Sequence, residues 1–207
     1  MRRILFLLFS LAGLGLLLGL GIWQVQRLNT KQGILATIEE RIAADPVPLP
    51  ASPDPAADKY KPVTATGTIQ PRALRVLTSR KGSGAGYRII SPFETSAGVI
   101  LLDRGFVPLT SDAPAGHAYP LTITGNLHWP DETDSYTPEP DLDGNIWFAR
   151  DVELMARTLD TRPLMVVLRD ATFDDGPVAP MPVDTASIPN DHLQYAITWF
   201  SLALIWA

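Results

Sequence analysis

The chain has no cysteine. That excludes disulfides, thiolate metal centres and cysteine nucleophiles, and with them a copper-thiolate carrier. Histidine is scarce, with only His117, His128 and His192. Long basic runs are missing too: 17 basic residues stand against 22 acidic ones, for a net charge of −5, so nucleic acid is not an expected partner. There is no GxSxG elbow, no HExxH helix and no kinase signature, and the chain is not expected to be an enzyme. Lys81–Gly86, "KGSGAG", imitates a phosphate loop. Such a loop must open a helix whose amides bind the anion, and here the strand-like "YRIISPF" follows, so the spacing predicts a hairpin turn. The acidic stretch Asp131–Asp143 lacks calcium-loop spacing, because Ile146 stands where glycine is required; it reads as a solvated loop.

What is present is apolar length. Ile4–Ile22 is 19 residues with Ser10 as its one ordinary polar side chain. As a helix it would rise about 28 Å, close to the roughly 30 Å of a bilayer core. Arg2 and Arg3 precede it, which places the N-terminus on the cytoplasmic side. Trp23 stands where an interfacial aromatic belongs. The run is longer than a signal-peptide core, and "IWQVQR" is a poor cleavage site, so a retained anchor is expected. A second uncharged run, Leu193–Ala207, has 15 residues, about 22 Å of helix, and reads as a span cut short. With both helices inserted, the segment between them lies outside the cytoplasm.

Between the apolar segments, Ile34, Leu35, Ile38 and Ile42 recur at helical spacing, as expected of a helix that extends the first one or packs on the domain. Asp45–Pro62 holds six prolines and reads as an extended connector. Short β-branched runs follow: "PVTATGTIQ", "ALRVLTS", "YRIISPF", "VILLDRGFVP", "LTITGNLHW" and "PLMVVLRDAT". One helix interrupts them, with Val152, Met155, Ala156 and Leu159 on one face and Asp151 or a neighbour as cap. The expected fold is that of an α+β membrane protein. Two transmembrane helices flank a mainly antiparallel sheet or partly closed barrel with a small helical part. The expected divisions are 1–27 (first transmembrane helix), 28–62 (helical extension and Pro-rich connector), 63–189 (β domain) and 190–207 (second transmembrane helix).

His192 stands out by position. "PND" breaks the chain and offers an Asn or Asp cap, so His192 falls in the first turn of the last helix. The partial positive charge of a helix start favours neutral imidazole, the metal-binding form. Ala196, Trp199 and Ala203 follow at i+4, i+7 and i+11 and share its face. A flat apolar cofactor with polar edges would fit a ligand, two small residues and an aromatic wall. On spacing alone, a histidine tolerated at the interface is the simpler reading. In the first helix Gly13, Gly15, Gly19 and Gly21 would permit close helix approach or leave a groove for a lipid-like tail. Arg27, one turn beyond Trp23, could meet a carboxylate or phosphate or simply snorkel.

"GIWQVQR" followed by Lys31, "KYKPVTATG", "GAGYRIISPF", "ILLDRGFVP", "NIWFARDVELMA" and "NDHLQYAITWF" occur in this order along nearly the whole chain. In this the chain resembles the surfeit locus family of cytochrome c oxidase assembly factors. The resemblance implies two membrane helices around a domain in the periplasm or intermembrane space, and a multi-pass protein of the bacterial inner membrane. It implies a chaperone-like role that binds haem a and helps insert it into oxidase subunit I, with haem a synthase and membrane lipid as further partners. A scaffold that stabilises subunit I without haem is the alternative. By the same resemblance His192 is the haem-iron ligand. Tyr195, Trp199, Trp23, Gln24 and Arg27 complete the candidate cofactor-binding set, and Arg104-Gly105 corresponds to the family's Arg-Gly. "LNTKQ" lacks the second tryptophan that many members carry before Lys31.

Overall fold

The computed structural model describes residues 1–113, 115–170, 173–186 and 188–207. It divides into two units, Met1–Glu40 with Asp184–Ala207, and Arg41–Val183.

The first unit is a helix pair. Helix α1 (Arg2–Ala43) runs unbroken for 42 residues, because nothing between the apolar run and the Ile34–Ile42 stripe breaks it. It is long and apolar enough to cross a membrane. Ile4, Leu5, Phe6 and Phe9 are more than half exposed, and only Gly21 and Gln24 of this helix are buried. The last helix, α4 (His192–Trp206), has 15 residues, short of the roughly 20 that a span requires. It lies antiparallel to α1. Trp206 stacks at a tilt on Phe9 and donates its indole N–H to the Ser10 carbonyl at 2.9 Å, while Phe200 packs at Gly21. The Thr185 hydroxyl reaches Glu39 at 2.6 Å and ties the approach to α4 to the far part of α1.

In the second unit the predicted strands form at their predicted places: β2 (Pro62–Ile69), β3 (Leu74–Arg80), β4 (Gly84–Thr95), β5 (Gly98–Pro108), β6 (Leu121–His128) and β8 (Met165–Asp170), positions 171 and 172 of the run predicted for the last strand lying outside the described residues. The "KGSGAG" turn is a hairpin, with Arg80 opposite Gly84 and with Gly82 and Gly84 at positive φ. Helix α3 (Val152–Leu159) is capped by Asp151, whose carboxylate accepts the Leu154 amide at 2.9 Å. Two short strands, β1 (Val47–Pro48) and β7 (Ile146–Trp147), and one turn of helix, α2 (Pro55–Asp58), carry no periodic signal. Thus the Pro-rich connector 45–62 also lends Val47–Pro48 to the edge of the sheet.

Sheet order is β1-β2-β6-β8-β5-β4-β3-β7, and β2 also pairs with β4. The pairs β2–β6, β6–β8, β8–β5, β5–β4 and β4–β2 therefore close a ring. Most pairs are antiparallel, but β8 runs parallel to β5, as β1 does to β2 and β7 to β3, so the sheet is mixed. β8 enters between β5 and β6 after the chain has crossed through α3, and that return sets its direction. Alternate residues sort onto two faces, as strand geometry requires. Val63, Phe93, Ile100, Leu102, Ile123, Leu127 and Val166 fill the ring. Ile90, Leu101, Met165 and Val167 face outward, under Met155 and Leu159 of α3 and beside Trp147.

Candidate functional site

His192 opens α4, half-buried, with Nδ1 2.8 Å from Oε1 of Gln24 on α1. Gln24 is 8% exposed, one of only two buried residues of its helix. The predicted face exists: Ala196 and Ala203 are each 2% exposed and Trp199 is half-buried. It is closed rather than roomy. A Cβ at Gly21 would stand 2.6 Å from the Phe200 ring, and one at Gly13 2.8 Å from Trp206. Aromatic side chains of α4 thus fill the space that these glycines leave. A Cβ at Gly15 or Gly19 would meet nothing within 4 Å among the described residues, so these two take no part in the close approach. Asp191 occupies the N-cap position, but its side chain makes no capping hydrogen bond.

The remaining sequence-predicted residues lie on the flanks of the pair. Trp23 and Tyr195 are about half exposed, and Arg27 is exposed. Arg27 is three residues beyond Gln24, about 4.5 Å farther along the axis, so it lies within one turn of the His192 level. At the other end of α4 an apolar groove of about 620 Å³ is lined by Phe9, Leu16, Leu17, Leu202, Ile205 and Trp206. Periodicity could not have found the link between Gln24 and His192. The two are 168 residues apart, and the one local sign is a glutamine beside an apolar run.

Two buried charge clusters in the sheet unit also escape sequence reading. Asp103 accepts from Arg88 at 2.5 Å and from Arg150 at 3.1 Å, and Arg150 is held in turn by Glu132 at 2.5 Å. Burial works against the Glu132 charge, but its hydrogen bonds to Arg150 hold the carboxyl below its ordinary value. Asp175 receives Arg104 through two guanidinium nitrogens and His117 Nε2 at 2.9 Å. His117, a loop residue by sequence, is thus a packing residue, set edge-on against Phe173 and Tyr119.

His128 is 8% exposed, lies against the Tyr60 ring, and its Nδ1 has no hydrogen-bond partner among the described residues. Burial, reinforced by the Arg150 charge, pushes its imidazole down to about 3. An unfolded histidine takes up a proton below about 6.5. Between those values the unfolded chain binds the extra proton, so stability falls as pH drops, by at most about 1.4 kcal/mol per pH unit. Glu132 adds loss of the same sign only below its ordinary value of 4.5. Replacing His128 with Phe should therefore flatten the dependence of Tm on pH between 6.5 and 5. An unchanged slope would remove His128 as its source.

A mixed-sheet unit in one chain with a helix long and apolar enough for a bilayer makes this an α+β protein of membrane-compatible build. The SURF1 family profile matches residues 11–204. Surfeit locus protein 1 of Homo sapiens is 33% identical over 211 residues, covering 89% of this chain and 69% of the relative. The same-named protein of Rattus norvegicus is 32% identical over 209 residues, 89% of this chain and 67% of the relative. A SURF1-like protein of Rickettsia felis is 28% identical over 200 residues, covering 91% and 88%. The chain belongs to the SURF1 family, which is known for cytochrome c oxidase assembly.

Proposed function

We propose that this protein is a cytochrome c oxidase assembly factor of the bacterial inner membrane, not an enzyme. It holds haem a at the α1/α4 pair and helps deliver it to oxidase subunit I. The observation that supports this reading is His192. It is a half-buried imidazole at the start of α4, bonded through one ring nitrogen to Gln24 and left with a second nitrogen for iron. The donor chemistry fits: imidazole for the metal, Trp199, Trp23 and Tyr195 for the ring, and the Arg27 guanidinium for a propionate.

Where the haem can sit is narrowed by Phe200. Its ring fills the space at Gly21, so the macrocycle does not slide between the helices there; it would lie on a flank, against the exposed aromatics. The haem is cargo, and the protein's part is to bind it, orient it and keep water from it. Partners in this reading are subunit I, haem a synthase and membrane lipid, and the sheet unit lies in the periplasm.

The same filled interface favours a second reading, a scaffold that stabilises subunit I through protein contacts alone. The absorption spectrum of the protein purified from a haem-a-producing host separates the two. His192→Ala should weaken haem binding by at least the 10- to 100-fold that loss of an outer-shell partner costs. Substoichiometric haem whose spectrum is unchanged by His192→Ala, with oxidase assembly still dependent on the protein, would favour the scaffold.

A further inference from the structure

We propose that Gln24 is a positioning residue that fixes the tautomer of His192, keeping the proton on Nδ1 and the lone pair on Nε2. This rests on the haem reading above and adds the group that prepares the ligand. Nδ1 of His192 lies 2.8 Å from Oε1 of Gln24. An amide oxygen has no hydrogen to give, so Nδ1 must donate, and the neutral ring then carries its only lone pair on Nε2. A free neutral imidazole side chain in water favours the opposite tautomer, with the proton on Nε2. The Gln24 carbonyl reverses that preference.

The environment makes the bond effective. Gln24 is 8% exposed, so water competes weakly for its oxygen. Gly21 lies one turn earlier on the same side of α1, with Phe200 of α4 seated on it. That contact sets the spacing of the helices and hence the reach from position 24 to the ring. An amide also suits the place better than a carboxylate. It accepts the proton of Nδ1 without adding a charge beside an apolar segment, where an uncompensated charge is costly. Metal-bound histidines generally donate their other ring nitrogen to such an acceptor, which orients the ring and raises its basicity. Here the acceptor comes from the partner helix, so the ligand is ready only when α1 and α4 are paired.

The test uses the whole chain in detergent, without haem, with ¹⁵N-labelled histidine and at a pH where His192 is neutral. Long-range ¹⁵N–¹H spectra report which ring nitrogen carries the proton. The wild type should show Nδ1–H, Gln24→Leu should shift the population to Nε2–H, and Gln24→Glu, which keeps an acceptor, should restore Nδ1–H. Haem a titration of the same three proteins should show Gln24→Leu weakened about 10- to 100-fold and Gln24→Glu weakened less than Gln24→Leu, since it keeps the acceptor but adds a charge. Cysteines placed at Leu17 and Leu202, which line one groove, report helix pairing by crosslinking, since the chain has none of its own. If Gln24→Leu fails to pair, the wild type and Gln24→Glu decide the question. Wild-type protein with the proton on Nε2, or the same tautomer in wild type and in a paired Gln24→Leu, would overturn the proposal. The predicted tautomer pattern with no haem bound by any of the three would instead sink the haem reading and leave the assignment of Gln24 standing.

Discussion

Replacing Asp175 with alanine should destabilise the sheet unit by about 3–5 kcal/mol, a fall in Tm of roughly 6–20 °C for a chain of this size. Arg104 is fully buried and Asp175 is 4% exposed. Arg104 Nε reaches one carboxylate oxygen at 2.9 Å, and a second guanidinium nitrogen reaches the other. His117 donates to the same carboxylate, and Arg104 also reaches the Ser91 hydroxyl at 3.3 Å. Removing the carboxylate leaves a guanidinium in a site with little water to solvate it. That residual charge, more than the lost attraction, sets the size of the effect. Arg104→Met combined with Asp175→Leu should therefore recover much of the stability that Asp175→Ala loses. A double variant no more stable than the single one would show that the buried charge is not the main cost.

Gly105→Ala should cost on the order of 3 kcal/mol. Gly105 has φ 120°, a conformation that side-chain-bearing residues rarely adopt. A Cβ there would stand 2.2 Å from the Ala179 carbonyl oxygen, which is backbone and cannot rotate away. The close approach exists because residues 173–180 strap across β5. Phe106 and Ala179 exchange two backbone hydrogen bonds of 2.8 Å, and Asp175 anchors the strap to Arg104 a few residues before. In the variant, the amides of Phe106 and Ala179 should lose hydrogen-exchange protection before the rest of the sheet. Gly82→Ala is the control, since its φ of 85° is also positive but a Cβ there would meet nothing within 4 Å among the described residues, and it should cost only about 1 kcal/mol. Equal losses at both positions would show that backbone conformation, not the strap, accounts for the effect.

The two glycines differ most in what surrounds them, and the same distinction runs through the whole chain. Wherever the physical signal is local, the sequence was enough. The apolar run and the stripe after it each read as helical, because side-chain periodicity is a property of neighbours, and the structure joins them into one helix. The six main strands and the Asp151-capped helix follow from alternation, turn residues and capping chemistry. The face shared by His192, Ala196, Trp199 and Ala203 could be written down from spacing, and Ala196 and Ala203 are indeed the buried residues of α4. The Arg104-Gly105 pair came only from the family resemblance, which did not give its partners.

Pairing was decided elsewhere. β8 lies between β5 and β6, and β2 meets β4, because the two faces of the sheet must each be covered and the ring buries both edges of its central strands. No alternation pattern carries that choice. The short strands β1 and β7 hold their places through neighbours distant in sequence. Asp175 gives no local sign that it will neutralise Arg104, 71 residues away. His192 gives none that its proton will face Gln24, 168 residues before it. A sequence determines which residues can be helical, extended, apolar or charged, since those depend on the residue and its neighbours. Which groups meet depends on closing long loops against a shared core, and only the folded chain settles that. In this protein His192 and Gln24 could both be named before the fold was known, and the tertiary structure brought the Gln24 side-chain oxygen against the histidine Nδ1.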